Sequence, residues 1–436
     1  MRITMICIGS TGDVMPYIVL GRELKARGHE ITICAFSDFA STVAAEGMIF
    51  SPISGDVKVF MTNIMKPGVN GVGFLKQVRD TLASIIRPFL ADLEAACVNA
   101  EAIIATFFGQ IIQSIAEVNH VPFIQTHYFP MDNNKATPIS SAPGQNAGKA
   151  WNITSYQLGY TLISTMEKYY LSEWREERGM APRKMEHRPN YEINGHIVPV
   201  IYAFSPLIMP RPTDWGENIH LSGYWSEDKP IDFQPDPSLV QFLQEGERPI
   251  YIGFGSMTGN DMGETLGIVL EALQQTGIRA ILATGWGGVD VPNHPNLYIG
   301  GFIPHDWLFR QVRAVVHHGG AGTTAAGILA GRPTLVIPFG GDQPFWGNRM
   351  HQLGIGPKPI PRERLTVSKL SKALTLLITT KSYSVAAKEL GIRLRMEEGP
   401  VIAANIIEKE LRKWRRIEGL SEDIVPAPTP EQQEIV

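Results

Sequence analysis

Cysteine is scarce in this chain: Cys7, Cys34 and Cys97 are the 3 thiols in 436 residues, odd in number and scattered through apolar segments. That excludes a disulfide framework and a zinc site built from paired cysteines, and it predicts reduced, buried thiols. An excess of one charge is lacking too. Lys and Arg number 39 against 43 Asp and Glu, a net charge of -4, so no basic field exists to attract nucleic acid. No apolar run reaches the length that spans a bilayer, and Met1 leads almost directly into a strand rather than a signal peptide; the expectation is a cytoplasmic protein without a transmembrane segment. Two motifs are absent as well. Without G-x-G-x-x-G and an acidic residue about twenty positions on, neither half reads as a nicotinamide-binding unit. Without Asp-x-Asp, nothing marks a divalent metal site, and none is expected.

What is present is an ordinary globular composition, 44% hydrophobic and 19% charged, in a chain too long for one core. Two domains follow as the prior. The most informative stretch is HHGGAGTTAAGILAGRPTLVIPFGGDQPFWG, residues 317–347. An apolar run ends at His317-His318, a glycine-dense turn follows, and Thr323-Thr324 open a helix. Strand, glycine turn and helix start make an anion site, because the backbone approaches closely and unpaired N–H groups face the ligand. The expected ligand is a phosphate or diphosphate. One strand later Asp342-Gln343 offer side chains suited to hydroxyls, which together suggest a nucleotide-sugar.

The same alternation opens the chain. Residues 2–8 read as a strand, Gly9-Ser10-Thr11-Gly12-Asp13 as a turn, Val14 to Arg27 as a helix stopped by Gly28, and Ile31 to Phe36 as a second strand. A doubly wound sheet binds its ligand at the carboxyl ends of its strands, where Ser10 to Asp13 then lie. Asp13 is either a helix cap or a base for an alcohol proton. A further strand, Val121 to Gln125, ends at Thr126-His127-Tyr128, and the irregular segment Pro130 to Gly148 after it is a candidate acceptor lid, with His127 at its root. Trp151 to Trp174 carries Tyr156, Tyr160, Tyr169 and Tyr170 at helical spacing, for the core or the floor of an apolar pocket.

From Phe204 to Asp236 proline and isolated aromatics rule out a regular helix and mark a domain boundary, with the break near residue 230. The second half then repeats the pattern four times. Strands end at Gly255-Ser256, at Gly285-Trp286, before Phe302-Ile303, and at His317-His318, so all should gather at one edge of a parallel sheet. The stretch VIAANIIEKELRKWRR, residues 401–416, is an amphipathic helix with a basic end, read as a closing helix with a weaker reading as a peripheral membrane contact. The tail from Ser421 has no periodicity and is expected to be disordered.

At this point the residues carry a family pattern. HHGGAGTT with GRPTLVIPFGGDQPFWG resembles the donor signature of the GT-B glycosyltransferases, within the UDP-glycosyltransferase superfamily and the branch holding sterol glucosyltransferases and bacterial antibiotic glycosyltransferases. GSTGDVMPYIVLGRELKARGHE resembles that branch's amino terminus, and SPLIMPRPTDW with HLSGYW its linker. The resemblance implies an α/β fold of two facing Rossmann-like domains with parallel sheets and a cleft between them. It places an acceptor domain at 1–205, a linker at 206–235, a donor domain at 236–400, a closing helix at 401–420 across the domain junction and a tail at 421–436. By the same resemblance His318 with the backbone of Gly320, Ala321, Gly322 and Thr323 would hold the diphosphate. Gly255 and Ser256 would approach from the other side with Ser10, Thr11 and Gly12, while Trp286, Phe302 and Ile303 would surround the base and Asp342 and Gln343 the sugar. Asp13 matches the branch's proposed base, and His127, Phe129 and Met131 would touch the acceptor.

Two positions depart from the wider family. Ala326 stands where plant members place a Glu for the ribose hydroxyls, and Phe129-Pro130-Met131-Asp132-Asn133 stands where sterol enzymes carry a Pro-Trp segment. The implied activity is inverting transfer of a hexose, glucose before others, from a nucleotide diphosphate sugar, UDP before others, to a hydroxyl of an apolar acceptor such as a sterol, terpenoid or polyketide. No cofactor beyond this co-substrate is expected, and the chain should be a monomer or weak homodimer. The alternatives are a catalytically silent GT-B relative that binds lipid or drug, and a GT-B nucleotide-sugar epimerase.

Overall fold

Short apolar runs without polar alternation form strands only where both faces of a sheet are covered, and helices between them supply that cover. The computed structural model describes residues 1–55, 86–106, 109–140, 142, 147–182, 191–226, 233–255, 260–283, 294–301, 303–422 and 425. Their contacts divide the described chain into two units. The first holds the residues up to 226 together with those from Glu398 on, and the second runs from 233 to Glu397.

The first unit is built on β1 (Arg2–Ile6), β2 (Glu30–Phe36), β3 (Ile49–Ile53), β4 (Ala102–Ala105), β5 (Phe123–His127), β6 (Val200–Tyr202) and β7 (Ile219–Leu221). They pair in the order β3-β2-β1-β4-β5-β6-β7, parallel throughout. Met5 lies between Ile33 and Ile104 at the sheet centre, and all three are buried. Helix α1 (Thr11–Ala26) buries Val14, Tyr17, Ile18, Gly21 and Leu24, the one-face spacing of a helix. It ends in a left-handed Gly28, φ 87°, where the Gly28 N–H bonds Lys25 O at 2.9 Å and the His29 N–H bonds Leu24 O at 3.2 Å. Downstream come α2 (Gly109–Val118) and the long α3 (Lys149–Glu177).

The second unit holds β8 (Ile250–Gly253), β9 (Ala280–Ala283), β10 (Leu297–Gly300), β11 (Val315–His317) and β12 (Thr334–Val336), in the order β10-β9-β8-β11-β12 and again parallel. Its helices include α4 (Asn260–Thr276), α5 (His305–Gln311), α6 (Ala321–Leu329), α7 (Gln343–Gln352), α8 (Val367–Thr379) and α9 (Lys381–Arg395). Ile250 and Ile252 pack on one face against Leu266 and Val269 of α4 and Leu370 and Leu374 of α8. Tyr251 on the other face packs with Leu308 and Phe309 of α5. The register aligns Gly253 with Ala283 and His317, Ala283 with Gly300, and His317 with Val336. All five strands therefore finish in one row.

The sequence reading differs from the structure in two places. Residues 206–235 were expected as a linker, yet their described portion up to 226 belongs to the first unit and contributes β7. Proline excludes a helix there but not a short edge strand. The closing helix, α10 (Gly399–Ile417), packs on α1 and completes the first unit. Arg27 donates to Asn405 Oδ1 at 2.7 Å and Glu408 Oε2 at 3.1 Å, and His29 Nε2 lies 3.2 Å from Glu408 Oε1. Gly399 is needed for the approach, since a Cβ there would stand 2.1 Å from the Tyr224 carbonyl oxygen. The tail beyond 422 falls almost wholly outside the described residues. Cys7, Cys34 and Cys97 are buried and unpaired.

Candidate active site

At the carboxyl end of β1 the chain turns through Gly9 and Ser10 into α1, and Ser10 is the N-cap. Asp13, third in the helix, folds its carboxylate back: Oδ2 accepts the Ser10 N–H at 2.7 Å and the Ser10 hydroxyl at 3.2 Å. The cap and base readings of Asp13 therefore describe one geometry, because Oδ2 caps while Oδ1 hydrogen-bonds to no described residue. Gly9, φ 148°, leaves the space this needs, for a Cβ there would lie 2.2 Å from Oδ2. Below, the Tyr128 hydroxyl donates to the Asp13 backbone carbonyl at 2.7 Å, and Tyr128 and Tyr17 pack edge-on against Trp225. Loss of solvent raises the Asp13 carboxyl from 3.8 to about 6, while the two Ser10 hydrogen bonds pull it down. It is thus ionised at neutral pH but far more basic than a free Asp. Thr11 and Gly12 are exposed in the same turn, and Pro16 removes the N–H that would pair with the Gly12 carbonyl.

The second unit presents a different construction. Helix α6 is capped by Gly320 and by no side chain. Its first intrahelical bond is from Thr324 N to Gly320 O at 2.9 Å, so the N–H groups of Ala321, Gly322 and Thr323 keep the dipole's positive end open. His318 stands beside them between two glycines. A Cβ on Gly255, φ 63°, would approach its Cε1 to 2.9 Å, and one on Gly320 would approach its Nε2 to 2.6 Å. Burial, with His305 nearby, lowers the His318 pKa to about 4. The ring is neutral and offers one N–H rather than a charge.

Asp342 N-caps α7, and its Oδ2 accepts the Trp346 indole N–H at 2.9 Å. Gln343, expected to contact sugar hydroxyls, already uses its side-chain oxygen within its own loop. Its Oε1 accepts the Phe339 N–H at 2.7 Å and the Gly340 N–H at 3.2 Å, so only its amide nitrogen is left for a ligand. Ile303 is partly buried against the Tyr251 and Leu308 cluster, and Ala326 packs against the same cluster. Position 326 therefore serves the core as a small residue. Ser256, Trp286 and Phe302 lie outside the described residues.

The segment after β5 is tied down from Met131 to Ile139. Tyr202 Oη accepts the N–H groups of Met131 and Asp132 at 2.9 and 2.8 Å and donates to Asp132 Oδ2 at 2.7 Å. Tyr160 donates to Met131 O, and Asn134 bonds Tyr156. His127 packs against Tyr202, ring centroids 5.4 Å apart, and burial lowers its pKa to about 3. So weak a base suits lining rather than proton abstraction. Phe129 follows it, half-exposed. The residue that sequence reasoning missed is Asp132. It is 2% exposed, and burial raises it to about 7 against the Tyr202 hydrogen bond. Nothing local signals this, because the burial comes from Tyr202 and Trp215, more than sixty positions away.

With this geometry in view, the comparisons with known proteins are specific. Residues 3–138 match the Glycosyltransferase family 28 N-terminal domain, and residues 287–408 the Erythromycin biosynthesis protein CIII-like, C-terminal domain. A sterol 3-beta-glucosyltransferase of Arabidopsis thaliana is 33% identical over 432 residues, covering 94% of this chain and 68% of that protein. The chain belongs to the UDP-glycosyltransferase superfamily, in the branch of sterol and antibiotic glycosyltransferases. A sterol 3-beta-glucosyltransferase of Emericella nidulans is likewise 33% identical over 427 residues, but the chain spans only 30% of its length. Among solved structures, the glycosyltransferase of kitacinnamycin superposes with a TM-score of 0.70 at 18% identity, covering 94% of this chain and 98% of that one. Both units thus carry the GT-B class of α/β fold, and the two strand-end loops described above fall within the two matched domains.

Proposed function

We propose that this member of the branch is an inverting glycosyltransferase. It would move a hexose, glucose by preference, from a UDP sugar to a hydroxyl of an apolar acceptor of the sterol, terpenoid or polyketide kind. The observation that carries the reading is the neutral His318 ring set between Gly255 and Gly320 beside the open first turn of α6. That is a preorganised set of N–H donors for the charge a departing diphosphate gains. The acceptor class rests on the relatives' names and on the tyrosine-lined segment after β5.

In this mechanism the acceptor oxygen attacks the anomeric carbon from the face opposite the diphosphate. Its proton passes to Oδ1 of Asp13, the new glycosidic bond forms, and the bond to the diphosphate oxygen breaks with its electron pair staying on the nucleoside diphosphate. An alcohol needs its base in the transition state only, and a carboxylate near pKa 6 is closer to that task than one near 4. His318 and the Ala321, Gly322 and Thr323 amides take up the charge, so the proposal includes no divalent metal. No helix among the described residues is long and apolar enough to cross a membrane; acceptor uptake at a membrane surface through the basic end of α10 belongs to the proposal as well.

Mass analysis after incubation with UDP and dTDP sugars and a panel of apolar alcohols tests the reading. The expected result is a hexosyl product that still forms in EDTA. Donor binding with neither product nor hydrolysis would replace it with a silent binding protein.

A further inference from the structure

The first histidine of the His317-His318 pair has no role in the reaction above. His317 ends β11 and is fully buried, and its Nδ1 accepts the Gly319 N–H at 2.9 Å. Gly319 is left-handed, φ 99°, and a Cβ there would meet Val336 at 2.6 Å and the Gln343 backbone oxygen at 3.0 Å. The turn is therefore walled on one side and hydrogen-bonded on the other. An accepting Nδ1 carries a lone pair, so the neutral ring keeps its proton on Nε2, which is buried with no partner among the described residues. Burial, with His318 and His305 close by, holds the ring neutral. Three of the four residues from 319 to 322 are glycine, and such a run has many conformations open to it unless something selects one.

We infer that His317 is a positioning residue for the donor loop: its Nδ1 fixes the Gly319 amide and with it the direction in which His318 and the first turn of α6 meet the diphosphate. This rests on the donor reading given above. The side chain touches no ligand itself; it narrows the loop to the binding conformation before the nucleotide arrives.

Three substitutions test it, because they separate the acceptor atom from the bulk of the ring. His317→Asn places an amide oxygen near the position of Nδ1, His317→Gln places it one bond further out, and His317→Leu removes it. Titration of UDP into the full-length chain by calorimetry should show binding weakened about fivefold to tenfold in the Gln and Leu variants, the scale of one lost hydrogen bond, with Asn within about twofold of the parent. Donor KM should rise accordingly and acceptor KM stay unchanged, a split that general loss of packing would not give. Unchanged UDP affinity in Leu, or an Asn variant no better than Gln, overturns the assignment; if Leu fails to fold, the Asn and Gln pair decides it. Should the parent bind neither UDP nor dTDP, the donor reading itself fails, and amide exchange at Gly319 then judges His317 alone: faster exchange in Gln than in Asn supports the pin, and equal rates overturn it.

Discussion

Two loops at the ends of parallel strands hold the residues to which the proposed chemistry is assigned, and they place those side chains by different means. In the first unit Asp13 is fixed by hydrogen bonds from its own cap residue, and one glycine makes room for it. In the second, His318 is held between two glycines and by a hydrogen bond to the Gly253 backbone, with no side-chain cap at the helix start. Burial acts on both and pushes both toward the neutral form, raising Asp13 to about 6 and lowering His318 to about 4. At neutral pH the outcomes are opposite: Asp13 is ionised and His318 is not. One strand-end architecture thus yields an ionised carboxylate in one unit and a neutral imidazole in the other, and what decides is the ionisable group placed at the turn.

That contrast can be broken most severely at Asp13. Asp13→Asn keeps the shape and removes the base, so kcat should fall about 100-fold to 10,000-fold while UDP affinity measured by calorimetry is kept; near-normal turnover would sink the assignment. His318→Ala comes next. Loss of one preorganised donor should lower turnover about 100-fold and weaken UDP as well, and unchanged binding would speak against it. Gly9→Ala tests the glycine's purpose: its Cβ would displace Oδ2, so the rate should drop about tenfold to a hundredfold with UDP binding intact, the reverse of the pattern expected from Gly320→Ala. A stability test sharpens the comparison further. Glu408→Ala takes one acceptor from Arg27, 7% exposed, and one partner from His29, while Arg27 keeps Glu23 and Asn405, and should destabilise the first unit by about 2 kcal/mol, seen as a lower melting temperature with UDP binding unaltered. The mildest effect is on pH. Below about 6 Asp13 takes up its proton, so kcat/KM should fall about tenfold per pH unit there, whereas His318 stays neutral down to about 4 and adds no second limb above that.

Much of this was legible in the chain. Glycine turns after apolar runs located the strand ends, since only a close backbone approach asks for glycine at Gly255, Gly319 and Gly320 together. A capping role for Asp13 followed from spacing, but the helix begins at Thr11 rather than Val14, so Ser10 is the N-cap and Asp13 folds back onto it from the third helical position. What escaped depends on residues far apart in sequence. The bond from Arg27 to Glu408 crosses 381 positions, and no local pattern reports that α10 belongs to the first unit. The bonds from the Phe339 and Gly340 N–H groups to the Gln343 oxygen are a property of the loop, not of the residue, and no local pattern announces them. Asp132 looked like a loop polar residue until Tyr202 and Trp215 closed over it.

The return of α10 to α1 also fixes an order of assembly. The second unit is an insertion within the first, so during synthesis every residue of the donor loop has been made before Glu408 exists to meet Arg27 and His29. Until then the face of α1 destined for α10 has no cover, and the unit that holds Asp13 is the last to have its whole sequence available.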